Sequence, residues 1–366
     1  MGNEKKSKDT IQAEVEDVFK NNTRCSVFGS MGVGKTRMGI EDIDRHYSDY
    51  LRVLVAGPKI STFKAWVEEL NLVDKNYLLH NIKYTTYASL HKKGRDYDIV
   101  YLDEIHNLTE KHVPWLENFG GKIRGFTGSM PRSRSDKAKI IDKFAPVKYV
   151  YTTDEAVEDK ILNDYRIIVH MLDLNPNKNL PVKTKTGETF YTSEVASYTW
   201  WSSKLDDAST YTEQEKLRLM RMRALMNFPT KETYTKLLQI KIKNKCIVFA
   251  NTKLQADRVC THAYYSGNKD NEINLTMFKE GRIRRLSCIH QLSESVNIPE
   301  LREAIIMHSY SSTSKAPQKL GRLMRLETDE VATLHVLCYK NTVDQDWVRM
   351  ALSPYDLDKI TWQDAV

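Results

Sequence analysis

One octet constrains this chain more than any other stretch. Residues 29–36 read Gly29-Ser30-Met31-Gly32-Val33-Gly34-Lys35-Thr36, a complete GxxxxGK[ST] directly after an apolar, strand-like run (CSVFG, 25–29) and directly before a helical pattern. The glycines let successive backbone N–H groups turn inward around an anion, and the N-terminus of the following helix adds its dipole. This is a cradle for nucleotide phosphates, in which Lys35 reaches the β- and γ-phosphates and the Thr36 hydroxyl coordinates Mg²⁺. A chain that carries it must build a strand, a loop and a helix on a parallel α/β sheet.

The rest of the first half agrees. Short apolar runs at 52–57 (RVLVAG), 82–87 (IKYTTY), 98–104 (DIVYLDE) and 122–128 (KIRGFTG) alternate with amphipathic stretches, as crossover connections require. In 61–70, for example, Phe63, Trp66, Val67 and Leu70 share one helical face. The second half repeats the pattern at 245–251, 284–292, 303–310 and 332–339. The 366 residues thus divide into a first α/β domain at 1–165, a connector with helices of its own at 166–240, and a second α/β domain at 241–366 that ends in a capping tail.

Composition removes several classes. Hydrophobic residues at 41% and charged residues at 28% describe a globular chain, not a disordered one. The apolar runs are too short to span a membrane, and the N-terminal MGNEKKSKDT lacks a signal-peptide core, so a cytoplasmic protein is expected. Cys25, Cys246, Cys260, Cys288 and Cys338 form no CxxC pair, which argues against a structural metal or an iron–sulfur cluster and for buried thiols in a reducing compartment. The 55 basic and 48 acidic residues leave +7, a balance that permits a polyanion without identifying one.

The second chemical signal is Asp103-Glu104-Ile105-His106, a carboxylate pair at the C-terminal end of an apolar strand. Holding two carboxylates there is costly unless a cation or a reacting water uses them. Asp103 would hold Mg²⁺ through water, and Glu104 would orient or deprotonate the attacking water. Together with the phosphate loop, this predicts nucleotide hydrolysis.

Four segments in one order, Gly29–Thr36, Asp103–His106, Thr127-Gly128-Ser129 and Gln318-Lys319-Leu320-Gly321-Arg322-Leu323-Met324-Arg325, resemble the superfamily 2 helicases and translocases of the DExH type. Ala56–Lys59, Thr85–Tyr87, Ile247–Thr252 and Leu292–Pro299 resemble the family's weaker motifs, so the likeness runs from about residue 10 to about residue 345. Its nearest flavour is the small phage and bacterial DNA helicases of the branch-migration and restriction-type group. The resemblance implies two RecA-like domains, each a mostly parallel sheet with crossover helices, flanking an ATP cleft. It implies ATP and Mg²⁺ as cofactors and a monomeric motor on nucleic acid, DNA before RNA, with no membrane partner. Arg322 and Arg325 would close on the γ-phosphate, Gln318 would meet the water, and His106 with Thr127 and Ser129 would couple hydrolysis to movement. Gln12 would read adenine and Asn297 would touch the ribose. Lys59, Thr86, Thr252 and Ser293 would contact strand phosphates.

The sequence departs from the family in places. Ser295 stands where Gly is usual, Asn297 where an acid is frequent, and Met324 where a small residue separates the arginines. An RNA helicase of the same class, or an ATP-gated nucleic-acid-binding switch that does not unwind, carries the same motifs.

Overall fold

The computed structural model describes residues 5–30, 32–131, 133–183, 186–289, 298–309 and 326–365. They gather in two units, the first reaching Asp164 and including 326–331, the second formed by the remainder from Tyr165 onward.

The first unit is built on a parallel sheet of β1 (Arg24–Gly29), β2 (Val53–Gly57), β3 (Ile82–Thr86), β4 (Ile99–Asp103), β5 (Lys122–Thr127) and β6 (Val147–Tyr151), in the order β3-β2-β4-β5-β1-β6. Central strands are apolar nearly throughout, and all five residues of β2 are buried, because helices cover both faces of a parallel sheet. At the edge, β6 alternates half-buried and exposed residues before ending on the buried Tyr151. That mixed VKYVY pattern explains why β6 is absent from the expected strands. Register then fixes the site: Gly57 pairs with Thr86, Asp103 with Phe126 and Phe28 with Thr127. Five strands therefore end on one edge, within reach of Gly29, Asp103 and Thr127.

A buried ion pair anchors the first helix, Lys8–Asn21, to this sheet. Arg124, fully buried, donates from Nε to Asp42 Oδ2 at 3.1 Å, from Nη1 to the Asn22 carbonyl at 2.6 Å and from Nη2 to the Phe19 carbonyl at 2.7 Å. Tyr101 donates its hydroxyl to Asp42 Oδ2 at 2.7 Å. Every charge here has partners, as a buried pair requires.

The second unit holds β7 (Asp164–Leu172), β8 (Leu180–Lys183), β9 (Thr189–Thr192), β10 (Cys246–Phe249), β11 (Ala263–Tyr264), β12 (Arg285–Cys288), β13 (Glu303–Ile306), β14 (Val331–Tyr339) and β15 (Ile360–Asp364). Seven of them form one sheet in the order β11-β12-β10-β13-β14-β7-β15, while β8 and β9 make a separate antiparallel ribbon. Here the division at 166–240 needs correcting. That span does contain helices, at Glu194–Asp206, Tyr211–Asn227 and Pro229–Lys241, but it opens with β7, a strand of the second sheet. Leu225, Phe228, Leu238 and Ile242 lie in the same core as Val248, Ile305 and Leu337. Residues 166–240 thus belong to the second unit. The interruption of β7 by Arg166 and His170 conceals its strand character. The C-terminal tail, expected as a cap, contributes the helix Val343–Leu352 and β15, which pairs parallel with β7.

The five cysteines are buried thiols outside any disulfide. Burial pushes the Cys260 and Cys338 thiols up to about 12, which suits core packing and not reactivity. Among the described residues no helix is long and apolar enough to cross a membrane.

Candidate nucleotide site and strand-facing edge

The phosphate loop forms as its sequence requires. β1 ends at Gly29, and the helix Lys35–Arg45 begins after Gly34. Gly32 and Gly34 take φ of +88° and +85°, left-handed values at which a side chain would be strained. A Cβ on Gly34 would also lie 3.0 Å from Gln12 Nε2. The Gln12 amide, carried on the Lys8–Asn21 helix, therefore stands directly against the loop, where the resemblance expects an adenine reader. Lys35 Nζ donates to the Gly29 and Ser30 carbonyls at 2.9 Å each. Burial pushes its ammonium pKa down, and the charges of Glu104 and Asp103 oppose that shift. Met31 lies outside the described residues.

The carboxylate pair sits beside the loop. Burial, reinforced by the charge of Glu104, pushes Asp103 up to about 6, while a hydrogen bond from Trp66 and the Lys35 ammonium pull the other way. Trp66 Nε1 donates to Asp103 Oδ2 at 3.1 Å, and Tyr87 donates its hydroxyl to the Asp103 carbonyl at 2.9 Å. Glu104 adopts φ +54°, an uncommon conformation for a non-glycine residue that recurs at functional sites. Carboxylates and a threonine hydroxyl are the hard oxygen donors that Mg²⁺ takes, and the Lys35 ammonium suits a phosphate. Thr36 and Asp103 would hold that ion.

Asp103 gives a testable sign. Its folded pKa stands above the ordinary aspartate value, so its contribution to stability is greatest at low pH and is lost as pH rises through about 6. Asp103→Asn is therefore expected to raise the melting temperature of the metal-free protein at about pH 8 and leave it nearly unchanged at about pH 4. The same variant should lose Mg²⁺-dependent hydrolysis. Thermal scans at both pH values check the first half, and an unchanged or lower melting temperature at the higher pH contradicts it.

His106 links this pair to the end of β5. Its Nδ1 lies 2.9 Å from Thr127 Oγ1, 3.4 Å from Ser129 Oγ and 3.3 Å from Glu104 Oε2. Thr127 Oγ1 donates to the Ser129 carbonyl at 2.6 Å and accepts from the Ser129 N–H at 3.1 Å. With the threonine proton so used, the network assigns the imidazole proton to Nδ1, which donates to Thr127 Oγ1. Lys137, one of the basic residues after Thr127–Ser129, donates to the His106 carbonyl at 3.2 Å.

The proposed strand contacts are less uniform. Lys59 is exposed at the start of the helix Ile60–Leu72, and Tyr84 donates its hydroxyl to the Lys59 carbonyl. Thr86 precedes the short helix Tyr87–Leu90. Both stand on the edge that carries Asp103. Thr252, in the second unit, caps the helix Lys253–Val259 by accepting from the Gln255 N–H at 3.2 Å. Ser293, Asn297, Gln318, Arg322 and Arg325 lie outside the described residues. In the helical span, Tyr198 accepts from the Val343 N–H at 3.0 Å and lies under the Arg221 guanidinium, and so packs, whereas Trp200 is 53% exposed.

Trp66 and Lys137 join the site without a sequence signal that assigns them to it, and Tyr87 joins it from the segment Thr85–Tyr87, which the resemblance marks only as a weaker motif. Trp66 does read as part of an apolar helix face, and a buried indole N–H needs an acceptor; what the sequence does not show is that the acceptor is Asp103. Gly39 makes the approach possible, since a Cβ there would lie 2.6 Å from the Trp66 ring.

Comparison with known proteins agrees with this architecture. Residues 230–327 match the model of the helicase conserved C-terminal domain, a span that includes Gln318, Arg322 and Arg325. The chain is 22% identical to the DNA 3'-5' translocase XPB2 of Sulfurisphaera tokodaii over 91% of its own length and 82% of that protein. Its fold is similar to that of the ATP-dependent type ISP restriction-modification enzyme LlaBIII bound to DNA, with a TM-score of 0.62 at 15% identity, covering 98% of this chain but only 31% of the enzyme. It is also similar to Saccharomyces cerevisiae Dbp5 bound to RNA and ADP BeF3, with a TM-score of 0.60 at 10% identity over 97% of this chain and 89% of that one.

Proposed function

We propose that this chain, a superfamily 2 helicase-type protein and hence an ATP-dependent nucleic-acid motor, acts on DNA, using ATP with Mg²⁺ as a single copy in a reducing cytoplasm. The observation that carries the reading is the convergence of Lys35, the Asp103–Glu104 pair and the His106–Thr127–Ser129 network on one sheet edge. Lys35 and the loop amides hold the phosphates. Glu104 positions the attacking water and takes its proton, while Asp103 and Thr36 would hold Mg²⁺, which would supply charge neutralisation at the phosphates. His106 senses the state of Glu104 and passes it to Thr127 and Ser129. Likeness to XPB2 and to the DNA-bound restriction enzyme supports DNA as the track. Buried thiols support the reducing compartment.

The test is ATPase stimulation by single-stranded DNA, single-stranded RNA, duplex, fork and four-way junction. DNA is expected to stimulate turnover independently of sequence and less at high salt, because backbone phosphates make the contact. Thr127→Val should keep ATP binding and lose most of the stimulation. The likeness to RNA-bound Dbp5 favours one second reading, an RNA motor, and stronger stimulation by RNA than by every DNA substrate would establish it in place of the first.

A further inference from the structure

We infer that the opposite edge of the second sheet, where β10, β12 and β13 begin, holds a second contact for a nucleic-acid phosphate backbone. The inference rests on the proposed nucleic-acid activity and extends it to a surface no motif marks.

Register brings the starts of these strands together, with Cys246 paired to both Arg285 and Glu303. Beside them lies a pocket of about 410 Å³ lined by Lys243, Asn244, Lys245, Arg284, Glu300 and Arg302. Four cations thus face one carboxylate. Two further acids are already engaged: Glu303 accepts from Asn244 Nδ2 at 2.8 Å and lies 3.0 Å from His335 Nε2, and Glu280, next to Gly281 of the lining, accepts from Arg282 Nε at 2.6 Å.

The walls are fixed by backbone contacts. Lys245 Nζ donates to the Lys279 and Pro299 carbonyls at 3.2 and 2.9 Å, which ties the end of the helix Asn271–Lys279 and the turn at Pro299 to the start of β10. Arg285 donates to the carbonyls of Gln239 at 2.8 Å and Asn244 at 2.6 Å, and also to that of Ile242. Those two cations serve the scaffold. Lys243 and Arg284 do not: both are exposed, and neither side chain makes a hydrogen bond, ion pair or ring contact with any described residue. A concave, rigid wall bearing unpaired positive charge focuses potential on an anion.

An extended polyanion suits this placement better than a small anion does. Thr252 follows β10 at the other edge, and a four-residue strand is only about 13 Å long at roughly 3.3 Å per residue. A backbone that continues past the Thr252 edge, as a duplex ahead of a tracked strand would, can reach Lys243 and Arg284 as well. The arginine supplies a planar fork suited to phosphate and the lysine a mobile point charge.

The test is Lys243→Glu combined with Arg284→Glu in the full chain, with the milder Lys243→Gln, Arg284→Gln pair as a folding-safe companion. Binding to a tailed DNA duplex and to a short single strand is followed by fluorescence anisotropy across a salt series. On the tailed duplex the charge-reversed protein is expected to lose about tenfold in affinity near 0.1 M salt. Its slope of log K against log salt should flatten by about two, at roughly 0.9 for each phosphate that is no longer neutralised, and the glutamine pair should show the same change in smaller degree. Binding of the short strand and the ATPase rate without nucleic acid should not change. An unchanged slope on the duplex, which would leave the pocket to an acidic protein partner, overturns the inference, as does an equal loss on the short strand. If the unaltered protein binds neither nucleic acid, the proposed function falls with it.

Discussion

Glu104→Gln is expected to bind ATP nearly as tightly as the unaltered protein and to turn it over at least ~10²-fold more slowly, within the range that loss of a general base produces. Lys35→Ala should lose both binding and turnover. The difference follows from where each side chain acts. Lys35 closes over the phosphate loop, holding the Gly29 and Ser30 carbonyls at 2.9 Å, and so contributes to the bound ground state. Glu104 stands beyond it, next to His106, and contributes when the water attacks. Amide substitution keeps the shape of Glu104 and its contact with His106 while removing the base. Nucleotide binding by equilibrium fluorescence and single-turnover hydrolysis separate the two effects. Turnover by Glu104→Gln within a few fold of normal would show that another group activates the water.

Arg325→Ala should lower maximal turnover by ~10³-fold or more, the usual scale for an arginine that meets the transferring phosphoryl group, with little change in strand affinity. Lys59→Ala should do the reverse. Lys59 is exposed at the edge where β2 ends, remote in role from the phosphates, so its loss should raise the DNA concentration needed for half-stimulation and leave the basal rate nearly intact. The pair of variants, measured over a DNA titration, distinguishes a γ-phosphate ligand from a backbone contact. A large fall in basal rate for Lys59→Ala, or a shift in DNA concentration alone for Arg325→Ala, would reverse the assignments.

Much of the first unit is legible in the sequence because its constraints are local. The octet 29–36 dictates its own loop, since Gly32 and Gly34 adopt conformations that few other residues tolerate. The apolar runs at β2 and β4 are buried on both faces and so lack ambiguous alternation. Long-range partners are less legible. Nothing in the neighbourhood of Trp66 specifies Asp103, and the contact depends on Gly39 in a different helix. The start of the second unit is obscured for a related reason. β7 carries Arg166 and His170 inside its run, and Arg166 Nε and His170 Nε2 find partners in Thr333 and His335 on β14, far along the chain. Edge strands such as β6 and β15 mix exposed and half-buried positions, which weakens any periodic signal.

The central claim, that hydrolysis drives movement along DNA, is tested most directly by displacement of a triplex-forming oligonucleotide from duplex DNA. The unaltered protein is expected to release the third strand only when ATP and Mg²⁺ are both present, and Glu104→Gln to release none while still binding the DNA. ATP hydrolysis stimulated by DNA with no displacement of any triplex or annealed strand would contradict the motor and leave an ATP-gated clamp in its place.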